Sequence, residues 1–148
     1  MSLTGIWTNE LRSVMLLREN ADHSLDGIYH SIVGRDPGYR ALSGRTNDVE
    51  SGKQMVAFSV CFEIDKPSPG YGKYSVCAWS GWAEENAKKQ LEIDTHWLLS
   101  ISVLDRAAEW AATNIGEDQF LRILDSFDQA TFEDEGKVRD LYKKASAA

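Results

Sequence analysis

Apolar and polar residues alternate with a period of two along most of the chain. Phe58, Val60 and Phe62 fall on one parity and Ser59, Cys61 and Glu63 on the other, which is the pattern of a strand with one face toward a core. Eight such runs are readable, near 5–9, 13–18, 25–32, 39–45, 54–64, 74–82, 91–103 and 114–123. Between them lie stretches of turn-forming residues at 20–24, 35–38, 46–52, 65–72 and 84–89. Strands at such regular spacing predict an all-β sandwich or barrel. An eight-stranded antiparallel up-and-down β-barrel leaves no open sheet edge and has a mouth wide enough for one small ligand.

The pattern changes after Phe120. Thr131 followed by Asp134 reads as a helix cap, Glu133 to Glu135 suit the positive end of a helix, and Lys143 and Lys144 suit the other. Val138, Leu141, Tyr142 and Ala145 then share one helical face. The chain is therefore divided into a barrel over 1–124 and a partly helical C-terminal extension over 125–148, packed outside the barrel or at a contact between copies.

At 148 residues the chain has enough bulk to bury a core without metal or disulfide help. Sixteen basic and twenty-three acidic residues give a net charge of −7, which speaks against nucleic acid or an anionic membrane surface as partner. No apolar run reaches the roughly 18 residues of a membrane helix, and no charged-then-apolar leader opens the chain. The localisation expected is that of a soluble protein, with secretion left open. Strand parity puts Cys77 with Ser75 and Trp79 on an inner face and Cys61 on an outer one, so two free thiols are expected. His23 and His30 sit beside turns or on outward positions, and no histidine pair has ligand spacing, so no metal is expected.

Five short strings then fall in order: GIWTNEL from Gly5, SIVG from Ser31, WSG from Trp79, THWLLS from Thr95 and GEDQF from Gly116. In this order and spacing they resemble the avidin and streptavidin family of biotin-binding barrels, over a span from Leu3 to about Phe120. The resemblance implies a non-covalent biotin site with no chemical turnover and no cofactor. A cyclic urea offers one carbonyl oxygen and two N–H groups in a plane. At the family's positions, Asn9, Ser13 and Tyr29 would donate to that oxygen, while Ser31 and Asp118 would accept from the N–H groups. Each alone has a plainer role: Asn9 as a turn cap, Ser13 as a strand start, Tyr29 as a strand residue, Asp118 as an exposed turn residue. Together, five polar groups facing an apolar interior would be costly unless something satisfied them.

By the same resemblance Trp79, Trp97 and Phe62 would wrap the ligand head, and Val33, Gly34 and Leu99 would line it. Ser75 and the Arg35 N–H would meet the valerate carboxylate; an Arg35 side chain attracting an anion and one simply solvated are equal readings. Trp110 would reach into a neighbouring subunit's site in a homo-tetramer, whereas Trp7 reads as plain core. Departures from the family pattern also stand out. Phe62 replaces a tryptophan, Cys77 a threonine beside the ring sulfur, Asn114 a leucine near the tail and Arg12 a glycine in the first hairpin, and the 35–38 loop is one residue shorter than in streptavidin. His96, Ile115 and Glu117 occupy the family's weaker subunit contact, where opposed Glu117 side chains would repel unless His96 or water intervened.

Two other classes compete. A carrier or sequestering barrel for another partly apolar ligand, as in lipocalin-like proteins, has no use for a urea-shaped polar set. An enzyme would need a nucleophile with a positioned base, and neither Cys77 nor Ser75 has an inward histidine beside it.

Overall fold

The computed structural model describes residues 1–31, 36, 38–128 and 134–146. Eight strands, β1 (Gly5–Asn9), β2 (Val14–Glu19), β3 (Ser24–His30), β4 (Arg40–Thr46), β5 (Gln54–Glu63), β6 (Tyr71–Glu85), β7 (Leu91–Val103) and β8 (Thr113–Leu124), close into a barrel. Every neighbouring pair is antiparallel, and β1 closes the ring on β8. Alternation is the cause of the burial seen. Along β5, Gln54, Val56, Phe58 and Val60 are buried while Met55, Ala57, Ser59 and Cys61 are exposed. Cys61 is accordingly an exposed free thiol and Cys77 a buried one.

Strand ends depart from the sequence expectation where pairing extends them. β6 begins at Tyr71 and runs to Glu85, because Tyr71 is matched by Val103 and Glu85 by Leu91, the two ends of β7. At the first hairpin, Arg12 takes φ +63°, the left-handed conformation in which a glycine would sit without strain. A six-residue 3-10 turn, Arg106–Ala111, links β7 to β8 and is capped by Asp105, which accepts from the Ala107 N–H.

Two apolar clusters result. The inner one fills the barrel with Trp7, Met15, Leu17, Leu42, Val56, Phe58, Ile93, Phe120 and their neighbours. Trp7 is fully buried there and donates its indole N–H to the Leu3 carbonyl at 3.0 Å, as its reading as core requires. The outer one joins Ile6, Val14 and Leu16 to Val138 and Leu141 of a C-terminal helix, α1 (Glu135–Ser146). The extension thus packs on the outside of β1 and β2. Its cap is Asp134, whose side chain accepts from the Gly136 and Lys137 N–H groups. A carboxylate directly before the first turn reaches its free N–H groups; the expected cap residue Thr131, with Glu133 and the side chains of Tyr142 and Ala145, lies outside the described residues. Among the described residues no helix is long and apolar enough to cross a membrane.

Candidate ligand-binding site

A cavity of about 360 Å³ opens inside the barrel, within the size range of small-molecule sites. Cross-strand register stacks its wall in tiers. Trp79 is paired with Phe58 on one side and Trp97 on the other, Val60, Cys77 and Leu99 form the next tier, and Phe62, Ser75 and Ile101 the one above. The aromatic side chains interlock: Tyr29 lies 5.1 Å from Trp79 and 5.9 Å from Phe62, and Phe58 stacks on Trp79 at 5.2 Å. Trp97 lies across the bare backbone of Gly116 opposite it, where a Cβ would collide with the indole.

The polar groups gather at the floor. Asn9 ends β1, and its Oδ1 accepts from the Leu11 N–H at 3.1 Å and the Ser13 N–H at 2.9 Å. Two backbone donors fix which amide atom faces them, so the Asn9 Nδ2 is left as a donor. Ser13 is buried and lines the floor beside Tyr29. Burial keeps the Tyr29 phenol protonated far above its ordinary range, with the Ser13 contact opposing and the Asp118 charge adding. Three O–H or N–H groups therefore line one side of the floor.

Asp118 faces them from β8. Its Oδ2 accepts the Trp79 indole N–H at 2.8 Å, and its main-chain carbonyl accepts the Thr95 hydroxyl at 2.9 Å. Glu10, whose Oε2 accepts the Gln119 N–H at 3.2 Å, lies near enough to the Asp118 carboxyl to influence it. Burial raises the Asp118 carboxyl from an ordinary 3.8 to about 6; Glu10 adds to the shift, and the Trp79 and Trp97 donors oppose it. Burial, with the Asp118 charge behind it, likewise pushes the Cys77 thiol up to about 12. Cys77 is consequently a neutral thiol near pH 7 and a poor nucleophile.

Of the residues singled out from sequence, Asn9, Ser13, Tyr29, Ser31, Phe62, Ser75, Cys77, Trp79, Trp97, Leu99 and Asp118 all line this cavity. Val33, Gly34 and Arg35 lie outside the described residues. Trp110 does not line its own chain's cavity; it stands on the 3-10 turn, 87% exposed. Asn114 is exposed and does not line the cavity. His96 and Glu117 pair within the chain, Nε2 to Oε1 at 3.1 Å, on the outer face beside exposed Leu98 and Ile115.

Four lining residues were not anticipated: Leu11, Asp36, Ile64 and Ile101. Parity would have found two of them, since Ile64 continues Phe58, Val60 and Phe62, and Ile101 continues Trp97 and Leu99. Asp36 carried no such signal. Among the described residues one group of three carboxylates, Glu84, Glu92 and Asp94, converges closely enough to hold a cation. None lines the cavity, and each already meets a donor, from Trp82, Asn86 and Gln119 respectively.

A closed eight-stranded antiparallel barrel with an aromatic, polar-floored cavity defines a class of small-molecule binding proteins. A family model of the Avidin family matches residues 1–123, and the chain belongs to that family. Avidin-related protein 4/5 of Gallus gallus is 30% identical over 125 residues, covering 82% of this chain and 78% of that protein. Avidin-related protein 2 of Gallus gallus is 28% identical over 124 residues, with 82% and 77% covered. The crystal structure of Xenavidin superimposes with a TM-score of 0.68 at 24% identity, over 82% of this chain and 97% of that one.

Proposed function

We propose that this protein binds biotin reversibly, without chemical change to the ligand. The observation that carries the reading is the cavity floor: donors from Asn9, Ser13 and Tyr29 face a buried carboxylate, Asp118, inside walls that are otherwise mostly aromatic and aliphatic. A ring urea seated there would place its oxygen among the three donors and an N–H against Asp118, with Ser31 as the second acceptor. Every polar group would then be satisfied on both sides. Trp79, Trp97 and Phe62 supply flat apolar surface for the bicyclic head, and the tiers above, through Ser75 and Ile101, supply a channel for its tail.

The outer wall of β6 to β8 supports assembly of several copies, because Val76, Leu98 and Ile115 stand in water there, as does Trp110. In such an assembly Trp110 covers the ligand of the adjacent copy. Trp110→Ala then speeds biotin release without disturbing the barrel, since loss of a buried tryptophan contact costs up to several kcal/mol.

Calorimetric titration with biotin, and with an analogue whose ring lacks the urea, tests the reading. Biotin is expected to bind and the analogue to bind far more weakly; Asp118→Ala and Tyr29→Phe should each cost about 1–3 kcal/mol of affinity. Equal binding of both ligands would favour a carrier of partly apolar molecules instead. No binding of either would reject the site.

A further inference from the structure

We infer that Val138 and Arg139 of α1 are positioning residues for the ligand site: from outside the barrel they hold the β1–β2 hairpin and β3, which carry the floor donors Asn9, Ser13 and Tyr29. Alternation makes this possible. Ser13 faces the cavity, and Val14 directly after it is buried on the outer face in the cluster that contains Val138. Tyr29 faces the cavity, and Ile28 directly before it packs on that same outer cluster. On β1, Asn9 lines the cavity while Ile6 is wholly buried in the cluster. The helix therefore backs the donor side of the floor. Among the described residues the outer cluster reaches β8, the strand of Asp118, only at Ile123, and it does not touch the aromatic walls on β5, β6 and β7.

Both chain neighbours of Tyr29 are tied to the helix. Ile28 meets the cluster directly, and His30 does so through Tyr39: the two rings stack at 4.3 Å and 12°, and the Arg139 guanidinium lies 5.0 Å from the Tyr39 ring centroid. Val138 is 3% exposed, with Leu141 packed beside it. The strand in most need of backing is β1. At five residues it is the shortest in the barrel, it is matched to β2 over four pairs, and its register against β8 shifts between Ile6 and Trp7. Burying Ile6 adds apolar contact where the ladder is thinnest. Hydrogen bonds weaken steeply as their angle opens, whereas flat apolar contacts tolerate small shifts, so a loosened hairpin costs the ligand its polar contacts first. The family match ends at residue 123, so the helix lies beyond the part of the chain that the family accounts for.

The inference rests on the biotin reading, and the test separates the two. Biotin and an analogue whose ring lacks the urea are titrated into the full chain and its variants, well below the unfolding temperature, and selectivity is read as the ratio of the two affinities. Val138→Ala is expected to weaken biotin about tenfold, the worth of one well-aligned hydrogen bond, while the analogue loses far less. A merely structural role would lower both ligands alike. Val138→Ile retains the apolar contact and should keep the wild-type ratio. Arg139→Ala removes the contact with Tyr39 and should lower the ratio by a smaller factor, which keeps the test available if Val138→Ala folds poorly. Ile93→Val is the control: it trims a fully buried side chain on β7 that neither lines the cavity nor belongs to the outer cluster, and the ratio should not move. An unchanged ratio in both Val138→Ala and Arg139→Ala, or an equal loss in Ile93→Val, overturns the role of α1 alone. Failure of the wild type to bind biotin overturns the ligand reading, and this inference with it.

Discussion

Asp36 at the rim and Asp118 at the floor are both carboxylates less than a tenth exposed in the wall of one cavity, yet their surroundings pull them in opposite directions. Asp36 accepts four N–H groups, one of them from each of three backbone or side-chain neighbours and a second from the Arg40 fork, and is held below the ordinary acid range. Asp118 shares its side with Glu10, takes the Trp79 indole, and is pushed up to about 6 by burial. The rim group is complete within the protein. The floor group has acceptor capacity that the protein leaves unused, and a binding site differs from a structural ion pair in that respect.

Stability should expose the contrast most strongly. Asp36→Ala strands the Arg40 guanidinium and two backbone donors and should lower the unfolding free energy by about 2–4 kcal/mol, the partial exposure of Arg40 keeping it from the top of the range for a broken buried pair. Asp118→Asn keeps an acceptor for Trp79 and removes a buried charge, so ligand-free stability at pH 7.5 should be unchanged or higher. Denaturant unfolding of both variants checks this, and a loss of similar size in each would erase the distinction.

Proton linkage sharpens it. Asp118 in the folded protein titrates at about 6 against an ordinary 3.8, so between those values the folded form holds a proton that the unfolded form has lost. Ligand-free stability from this group therefore falls as pH rises through that window. Asp36 has the opposite sign: its folded acid is lowered, so its contribution is present above the ordinary acid range and is lost as pH falls below it. A ligand N–H prefers the ionised Asp118, so biotin affinity should rise over the window in which ligand-free stability declines. Glu10, Tyr29 and Cys77 face the same carboxyl. Titrations from pH 4 to 8 (about two units either side of the shifted acid) in wild type and Asp118→Asn test it; an identical pH profile in the two would remove Asp118 from the linkage.

The smallest effect concerns Cys77. Its thiol lies in the middle tier of the wall and is held neutral by burial, so a thiol reagent should modify it slowly and more slowly still with biotin bound. Cys61, exposed on the outer face, should react alike with and without ligand. Peptide mapping after timed labelling distinguishes the two, and ligand-independent labelling of Cys77 would place the ligand elsewhere.

The parts of this molecule readable from sequence are those that depend on local alternation. Period-two patterning located all eight strands and the inward or outward sense of both cysteines, because each strand has one wet and one dry face. Strand ends were less legible: β6 extends to Tyr71 and Glu85 because of its partner β7, information absent from its own residues. Asp36 was hidden for the same reason. A DPG stretch reads as a turn, and only its contact with the Glu63 N–H, twenty-seven residues away, turns it into a buried clasp. Glu10, in the first hairpin, comes to Asp118 only through closure of the barrel, which nothing local to its own stretch encodes.

That closure has a consequence for how the protein comes into being. Neighbouring strands follow one another in sequence except at the seam, where β1 pairs with β8 and Asn9 is set opposite Phe120. The floor straddles this seam, with Asn9 on one side and Asp118 on the other. No partly made chain still lacking β8 can carry the site, however well its first seven strands have formed. Joining ends so far apart in sequence is slow relative to forming hairpins, so a nascent barrel waits open until its last strand arrives. A ligand that touches both sides of the seam acts as a fastener, drawing the population toward the shut ring in proportion to its free concentration.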